Sequence, residues 1–315
     1  MYCTVKFCKS LKNENYEKLL NLFSQKFSFR CNNQYLKASS INFTYQGWNF
    51  WLNENKLKGI GSLTKLYFGD NVQNASFSQI KQALAQVESL VELSLNDAII
   101  QRLDIGYTLS LSEEPSKYLK ILGTPSGYKR HISGDYETCH FEKKEKNDLK
   151  FYDKNLESFS TKDYQKLYKE GNHRLRFELE IQKNVSKFLK LPCLTWGNLY
   201  EKGIYNQLTE CWYNEFLTIP ELLGVDLLNV DYSSLKNFKN SLAQESIFRN
   251  GGIHVFQNAA HKKNVDKHSR HNINGFLNQL EPPKYQQSKY KSELDEKIWL
   301  AYKDAKSELG IMLNI

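Results

Sequence analysis

Between residues 147 and 157 the chain reads NDLKFYDKNLE, with Tyr152 flanked two residues away on each side by Lys150 and Lys154. On a strand, alternation puts Lys150, Tyr152 and Lys154 on one face and Leu149, Phe151 and Asp153 on the other. Two more segments alternate in the same way. In 173–181 the apolar set is Leu175, Phe177, Leu179 and Ile181, and the polar set is Arg174, Arg176, Glu178 and Glu180. In 99–111 Leu103, Ile105, Tyr107, Leu109 and Leu111 alternate with Arg102, Asp104, Thr108 and Ser110. If the three apolar faces share one core, Tyr152 and the lysines share a sheet face with Asp104, Glu178 and Glu180.

That set suits phosphodiester chemistry. Carboxylates on one face bind a hard divalent cation, Mg²⁺ or Mn²⁺. Such a cation polarises a non-bridging phosphate oxygen and orients the phosphorus for attack. A tyrosine is a weak nucleophile at its ordinary pKa near 10, and positive neighbours such as Lys150 and Lys154 favour the phenolate. Attack by Tyr152 would leave a 5′-phosphotyrosyl bond and a free 3′-hydroxyl. The ester is exchanged rather than hydrolysed, so the strand can be rejoined. The plainer alternative is a solvated polar face carrying an ordinary strand tyrosine, since antiparallel sheets often expose one side to water.

The elements that must position these residues follow from spacing. Residues 56–68 predict an extended segment with a glycine turn. Residues 76–93 carry Phe77, Ile80, Leu84, Val87, Leu90 and Val91 at helical spacing, with Ser76 or Ser78 as the cap. A short helix over 115–123 ends at Gly123. Strands at 136–142 and 148–154 form a hairpin, a helix lies near 161–170, a strand over 173–183, and 184–191 is helical. These patterns predict an α+β fold, an antiparallel sheet with helices on one face. A mostly helical region follows. We place a boundary there, between a catalytic domain over 1–193 and a helical domain over 194–315 with a DNA-binding role.

Composition agrees with a polyanionic partner. The chain has 315 residues, 43 Lys+Arg against 35 Asp+Glu, and 13% aromatic residues, a mixture suited to holding phosphates and stacking on unpaired bases. Six cysteines form no CxxC pair and no zinc spacing, so free thiols in a reducing, cytoplasmic setting are expected. No apolar run is long enough to span a membrane, and the start MYCTVKFCKSLKNENYEK is too charged for a signal peptide. The basic run HKKNVDKHSRH over 261–271 reads as a solvated loop or as DNA grip through Lys262, Lys263, Lys267 and Arg270. Tyr136 is a weaker nucleophile candidate, and His140 could orient a scissile phosphate. Trp48 and Trp51 in WNFW read as core rings before stacking platforms.

Three segments in order, QRLDIGYTLS, TCHFEKKEKNDLKFYDKNLE and HRLRFELEIQKNVSKFLKLP, resemble the replication initiators of the filamentous phage gene II/X family. The likeness covers about residues 60–200. It implies a Rep/relaxase-like nuclease core that starts rolling-circle replication: a site-specific nick in one origin strand, then strand transfer. The family's nucleophile falls on Tyr152, and its acids on Asp104 and Glu178; Glu180 joins them from strand parity alone. Arg102 and Arg176, on the same polar faces, are expected to contact DNA, the origin is expected to be met as single strand or supercoiled duplex, and the host's helicase and polymerase to follow, in the cytoplasm of a bacterial cell. No His-hydrophobic-His motif occurs. Two other classes share these features: a non-catalytic DNA-binding regulator of replication, and a transposase or conjugative nickase with the same chemistry.

Overall fold

The computed structural model describes residues 1–26, 28–29, 41–143, 147–157, 173–222, 240, 266–279 and 288–311. Ten strands among them form one antiparallel sheet: β1 (Tyr2–Ser10), β2 (Ser28–Phe29), β3 (Ile41–Tyr45), β4 (Trp48–Asn53), β5 (Lys56–Ser62), β6 (Ile99–Leu111), β7 (Lys129–Ser133), β8 (Thr138–Glu142), β9 (Asn147–Asp153) and β10 (His173–Ile181). Their order across the sheet is β2-β3-β4-β5-β1-β6-β10-β9-β8-β7. The three strands read from alternation are therefore neighbours, with β10 between β6 and β9.

Helices cover the apolar face, those over Phe77–Val91, Lys202–Leu217 and Lys289–Ser307 among them. The described ones are α1 (Asn13–Lys26), α2 (Leu63–Phe68), α3 (Phe77–Val91), α4 (Pro115–Lys120), α5 (Lys154–Glu157), α6 (Val185–Phe188), α7 (Lys202–Leu217), α8 (Lys267–Gln279) and α9 (Lys289–Ser307). Helix α3 starts as its sequence predicts, with a capping box between Ser76 and Gln79. Under the helices, Phe151 and Phe177 stack with ring centroids 4.3 Å apart, and Trp212 of α7 lies 5.1 Å from Phe177. One buried cluster takes in Phe177 and Leu149 of the sheet together with Leu208, Trp212, Leu294 and Ile298 from beyond residue 194. None of the described helices is long and apolar enough to cross a membrane, and the five described cysteines are free thiols.

Several expectations are corrected. Residues 56–68 do not turn at their glycines: Gly59 and Gly61 lie inside β5, and α2 follows. A Cβ at Gly59 would stand 2.4 Å from the ring of Phe7, and one at Gly61 2.3 Å from that of Trp48. The glycines are there so that large rings can lie flat on the strand. Trp48 is a core ring, stacked on Phe50 and fully buried. Tyr136 sits in the turn between β7 and β8, at a φ of 58°, and not on a strand. In the basic run, Lys267 opens α8 and Arg270 lies within it, so that part is helix and not loop; Lys262 and Lys263, and the helix expected near 161–170, lie outside the described residues.

Candidate active site

Register aligns the polar face into cross-strand rows. In one row Asp104, Glu180 and Asp148 stand directly opposite one another on β6, β10 and β9. In the next, Gly106, Glu178, Lys150, His140 and His131 run across β6, β10, β9, β8 and β7. In the third, Thr108, Arg176, Tyr152 and Thr138 do so. Rows follow one another at about 7 Å, two residues at about 3.4 Å each. The antiparallel pairing thus brings residues far apart in the chain, from Asp104 to Glu180, into one constellation.

This face is not simply wet. Asp104, Thr108, Tyr152, Lys154 and Arg176 are all buried. The Tyr152 hydroxyl donates to Glu178 Oε1 at 3.2 Å. The same oxygen accepts from Arg176 Nε at 2.6 Å. Arg176 uses its other nitrogens on Thr108 Oγ1 at 2.8 Å, on Cys3 Sγ at 2.6 Å and on the Asn71 carbonyl at 3.3 Å. Cys3 reaches this network at a register shift in β1 between Tyr2 and Val5. With 2% of its surface exposed, Arg176 locks Glu178 in place and has no free donor edge for DNA, in contrast to the sequence expectation.

The lysines are arranged differently from a simple strand face. Lys150 stands over the Tyr152 ring at 4.9 Å. Strand β9 ends at Asp153, so Lys154 begins α5; its buried chain still passes 5.4 Å from the same ring and its ammonium pairs with Glu157 at 2.5 Å. Burial lowers the Lys154 pKa, and Arg176 lowers it further. The expected pull of positive neighbours on the phenol is outweighed: burial pushes the Tyr152 pKa well above its ordinary value, Glu178 adds to this, and Arg176 opposes it only in part. Burial also works to raise Glu178, but Arg176, Lys154 and Lys150 hold its carboxyl below the usual range. The resting pair is a protonated phenol hydrogen-bonded to a carboxylate.

The neighbouring row collects negative charge. Arg102 forks onto Asp104, with Nε at 2.8 Å and Nη2 at 2.8 Å, and Nη2 also reaches Glu180 at 3.3 Å. Gln182 bridges Asp148 at 2.9 Å and Glu180 at 3.1 Å. Burial raises the Asp104 pKa to about 7; Arg102 opposes the rise, and Glu180 and Glu178 reinforce it. The carboxylates of this row offer oxygens, the right type for Mg²⁺ or Mn²⁺. As arranged, no three metal-ligating side chains converge among the described residues, because Arg102 sits between Asp104 and Glu180 as an internal counter-ion. Sequence reading missed Asp148, which lies one alternation step before Lys150 and would have been found by extending that pattern. His140 lies 3.5 Å from Asp148 and lines, with His131, Lys150 and Glu180, a cleft of about 400 Å³.

Two expected results follow directly. Asp104→Asn removes a buried carboxyl whose pKa is raised from 3.8 to about 7. The stability of the protonated form is fully present below pH about 4 and is lost as pH rises to about 7, because the unfolded chain releases its proton first. The full shift, with the opposing pull of Arg102 already inside it, is worth roughly 4 kcal/mol. Metal-free Asp104→Asn should therefore be more stable than wild type at pH 8, by at most about 4 kcal/mol, with a flatter profile between pH 4 and 7. Thermal melts across that range check this. With Mn²⁺ added, wild type should gain stability by mass action and the variant much less; equal gains would remove Asp104 from the cation ligands.

Gly106 is the second case. An added Cβ would stand 2.7 Å from Glu178 Cγ and 3.1 Å from both Cys3 Sγ and the Phe177 carbonyl. Gly106→Ala should fold, lose about 1–3 kcal/mol, and displace Glu178 from Tyr152. If the site carries the phosphodiester chemistry expected from the sequence, a misplacement on the ångström scale costs about 100-fold in rate, to be read as single-turnover cleavage.

A family model for the N-terminal part of the phage replication-associated gene II protein matches residues 23–201, more than half of the chain. Among curated proteins and among solved structures nothing matches.

Proposed function

The chain belongs to the gene II-type family of phage replication-associated proteins, and from that membership we propose that it nicks one strand of its origin with Tyr152 as the nucleophile. Family membership gives the coarser statement: a rolling-circle replication initiator that has an origin DNA as its partner and endonuclease activity in general. The observation that carries the finer one is the hydrogen bond from the buried Tyr152 hydroxyl to Glu178, a carboxylate fixed by Arg176.

In this reading the phenol oxygen attacks the scissile phosphorus as Glu178 accepts the phenol proton. The bond from phosphorus to the 3′ oxygen breaks, and that oxygen leaves as a free hydroxyl after taking a proton from water. The 5′ side stays on Tyr152 as a phosphodiester. A 3′-hydroxyl later attacks this phosphorus and loses its proton to water, the bond from phosphorus to the phenol oxygen breaks, Glu178 returns its proton to that oxygen, and the strand closes. Because the phenol is held protonated at rest, it is a poor nucleophile until a phosphate is engaged. Asp104, Glu180 and Asp148 are the residues that would hold Mg²⁺ or Mn²⁺, which supplies charge stabilisation at a non-bridging phosphate oxygen; Glu178, which the sequence reading placed among the cation ligands, is here engaged by Arg176 and Tyr152, and Asp148 takes its place. Arg102, partly exposed, exchanges its carboxylates for phosphate when they are neutralised. Extension of the 3′ end by the host's polymerase, with its helicase, belongs to the same proposal.

The test uses a supercoiled plasmid carrying the protein's own gene and origin, with Mg²⁺. Open circles bearing protein on a 5′ end are expected. Circles that stay closed, or that open with no protein attached, contradict the proposal.

A further inference from the structure

We infer that a lysine-lined groove at the end of β6 and β10 binds the sugar-phosphate backbone of single-stranded DNA flanking the scissile phosphate. The identity of the strand rests on the tyrosine-nickase reading above; the preference for a polyanion comes from the groove itself. The groove is a cavity of about 760 Å³ with Lys6, Lys183, Lys187 and Lys190 among its lining residues and no acidic residue among them. The last three lysines are exposed. Between them Ile99, 51% exposed, offers an apolar surface against which a sugar or a base can lie. Four ammonium groups around one open groove attract an anion with charges spread along its length, as a phosphate backbone has.

The groove is continuous with the site. Lys6 stands opposite Arg102 in register. Gln182, on its wall, bonds both Glu180 and Asp148. From Glu178 to Gln182 is four residues, about 13 Å at about 3.3 Å per residue, so a strand leaving Tyr152 along β10 enters the groove within a few nucleotides. The wall is also held in shape beforehand. The Leu194 amide donates to Ser186 Oγ at 2.8 Å, the Leu191 amide to the Ser186 carbonyl at 2.8 Å, and Gln207 Nε2 to the Leu189 carbonyl at 2.9 Å. Lys190 has a φ of 56°, a conformation a glycine would adopt more readily, yet a lysine side chain is presented there. A preformed site loses less freedom on binding. The strand must be unpaired because Tyr152, 7% exposed, is recessed in the sheet. A phosphate of a paired strand would reach the phenol only with the partner strand pressed into the same face.

The experiment measures binding of the full chain carrying Tyr152→Phe, so that cleavage cannot intervene. Lys183→Gln, Lys187→Gln and Lys190→Gln are combined, and fluorescence anisotropy follows an origin-strand oligonucleotide over several salt concentrations. A control variant carries Lys81→Gln, Lys297→Gln and Lys303→Gln on α3 and α9, with the same change in net charge. Three lost phosphate contacts should reduce the slope of log affinity against log salt by about 2, at about 0.7 per contact for single strands. The control should keep the wild-type slope. Equal slopes in the groove and control variants would overturn the inference. So would a loss seen with the base-paired duplex and not with the single strand. If the wild-type protein forms no covalent adduct while the groove variant still loses its salt dependence, the nickase reading fails and the groove stands; the reverse pattern removes the groove alone.

Discussion

Tyr152→Phe is expected to abolish nicking and covalent attachment while the protein folds and binds its origin. The substitution deletes one oxygen from a ring that stays packed beneath Lys150 and Lys154. Its structural cost is one hydrogen bond to Glu178, whose carboxylate keeps Arg176 as a partner. A loss of stability of about 1 kcal/mol is expected, the usual worth of such a bond. In the proposed mechanism its chemical cost is the nucleophile itself, and removal of a nucleophile lowers rates by roughly 10⁴-fold or more. Denaturant titration and cleavage of a labelled origin strand separate the two. Nicking at the wild-type rate would return Tyr152 to the role of a packing residue.

The largest effect on stability is expected from Arg176→Met. Arg176 is the centre of the site's internal charge balance, touching Glu178, Thr108, Cys3 and the Asn71 carbonyl in a buried setting. Removing one partner of a buried pair leaves the other charge uncompensated, at about 3–5 kcal/mol. The sign with pH identifies the cause. In wild type the Glu178 pKa is held low, so its contribution is present above pH about 4.3 and is lost as pH falls through the lower folded value. Without Arg176, burial raises that pKa, and the variant's deficit should shrink as Glu178 becomes protonated in mild acid. Denaturant midpoints at about pH 7 and about pH 5 make the comparison, and adding Glu178→Gln to Arg176→Met should recover part of the loss at neutral pH. A deficit below about 1 kcal/mol would mean that the pair is solvated.

Strands β6, β9 and β10 were legible because each buries one face on the helices, and burial writes a period of two into the sequence. The same period exposed Tyr152, Asp104, Glu178 and Glu180 as residues of one face. Register was not legible. That Asp148 completes a row with Asp104 and Glu180, and that Gly106 makes room for Glu178, depend on pairing between strands far apart in sequence. The charge state was not legible either. Two lysines beside a tyrosine suggest a lowered pKa, but burial decides the direction, and burial is a property of the fold. The N-terminal strands escaped for a related reason: β1 lies between β5 and β6 and is interrupted by register shifts. The glycines of β5 look like a turn until the rings of Phe7 and Trp48 are seen against them.

The most direct measurement identifies the residue that carries the DNA. The protein is incubated with a single-stranded origin oligonucleotide and Mg²⁺, the covalent adduct is digested with protease and nuclease, and mass spectrometry locates the nucleotide remnant. The account predicts a 5′-phosphotyrosyl linkage on the peptide containing Tyr152 and no adduct from Tyr152→Phe. A remnant on Tyr136 or any other tyrosine, or an undiminished adduct from Tyr152→Phe, would contradict it.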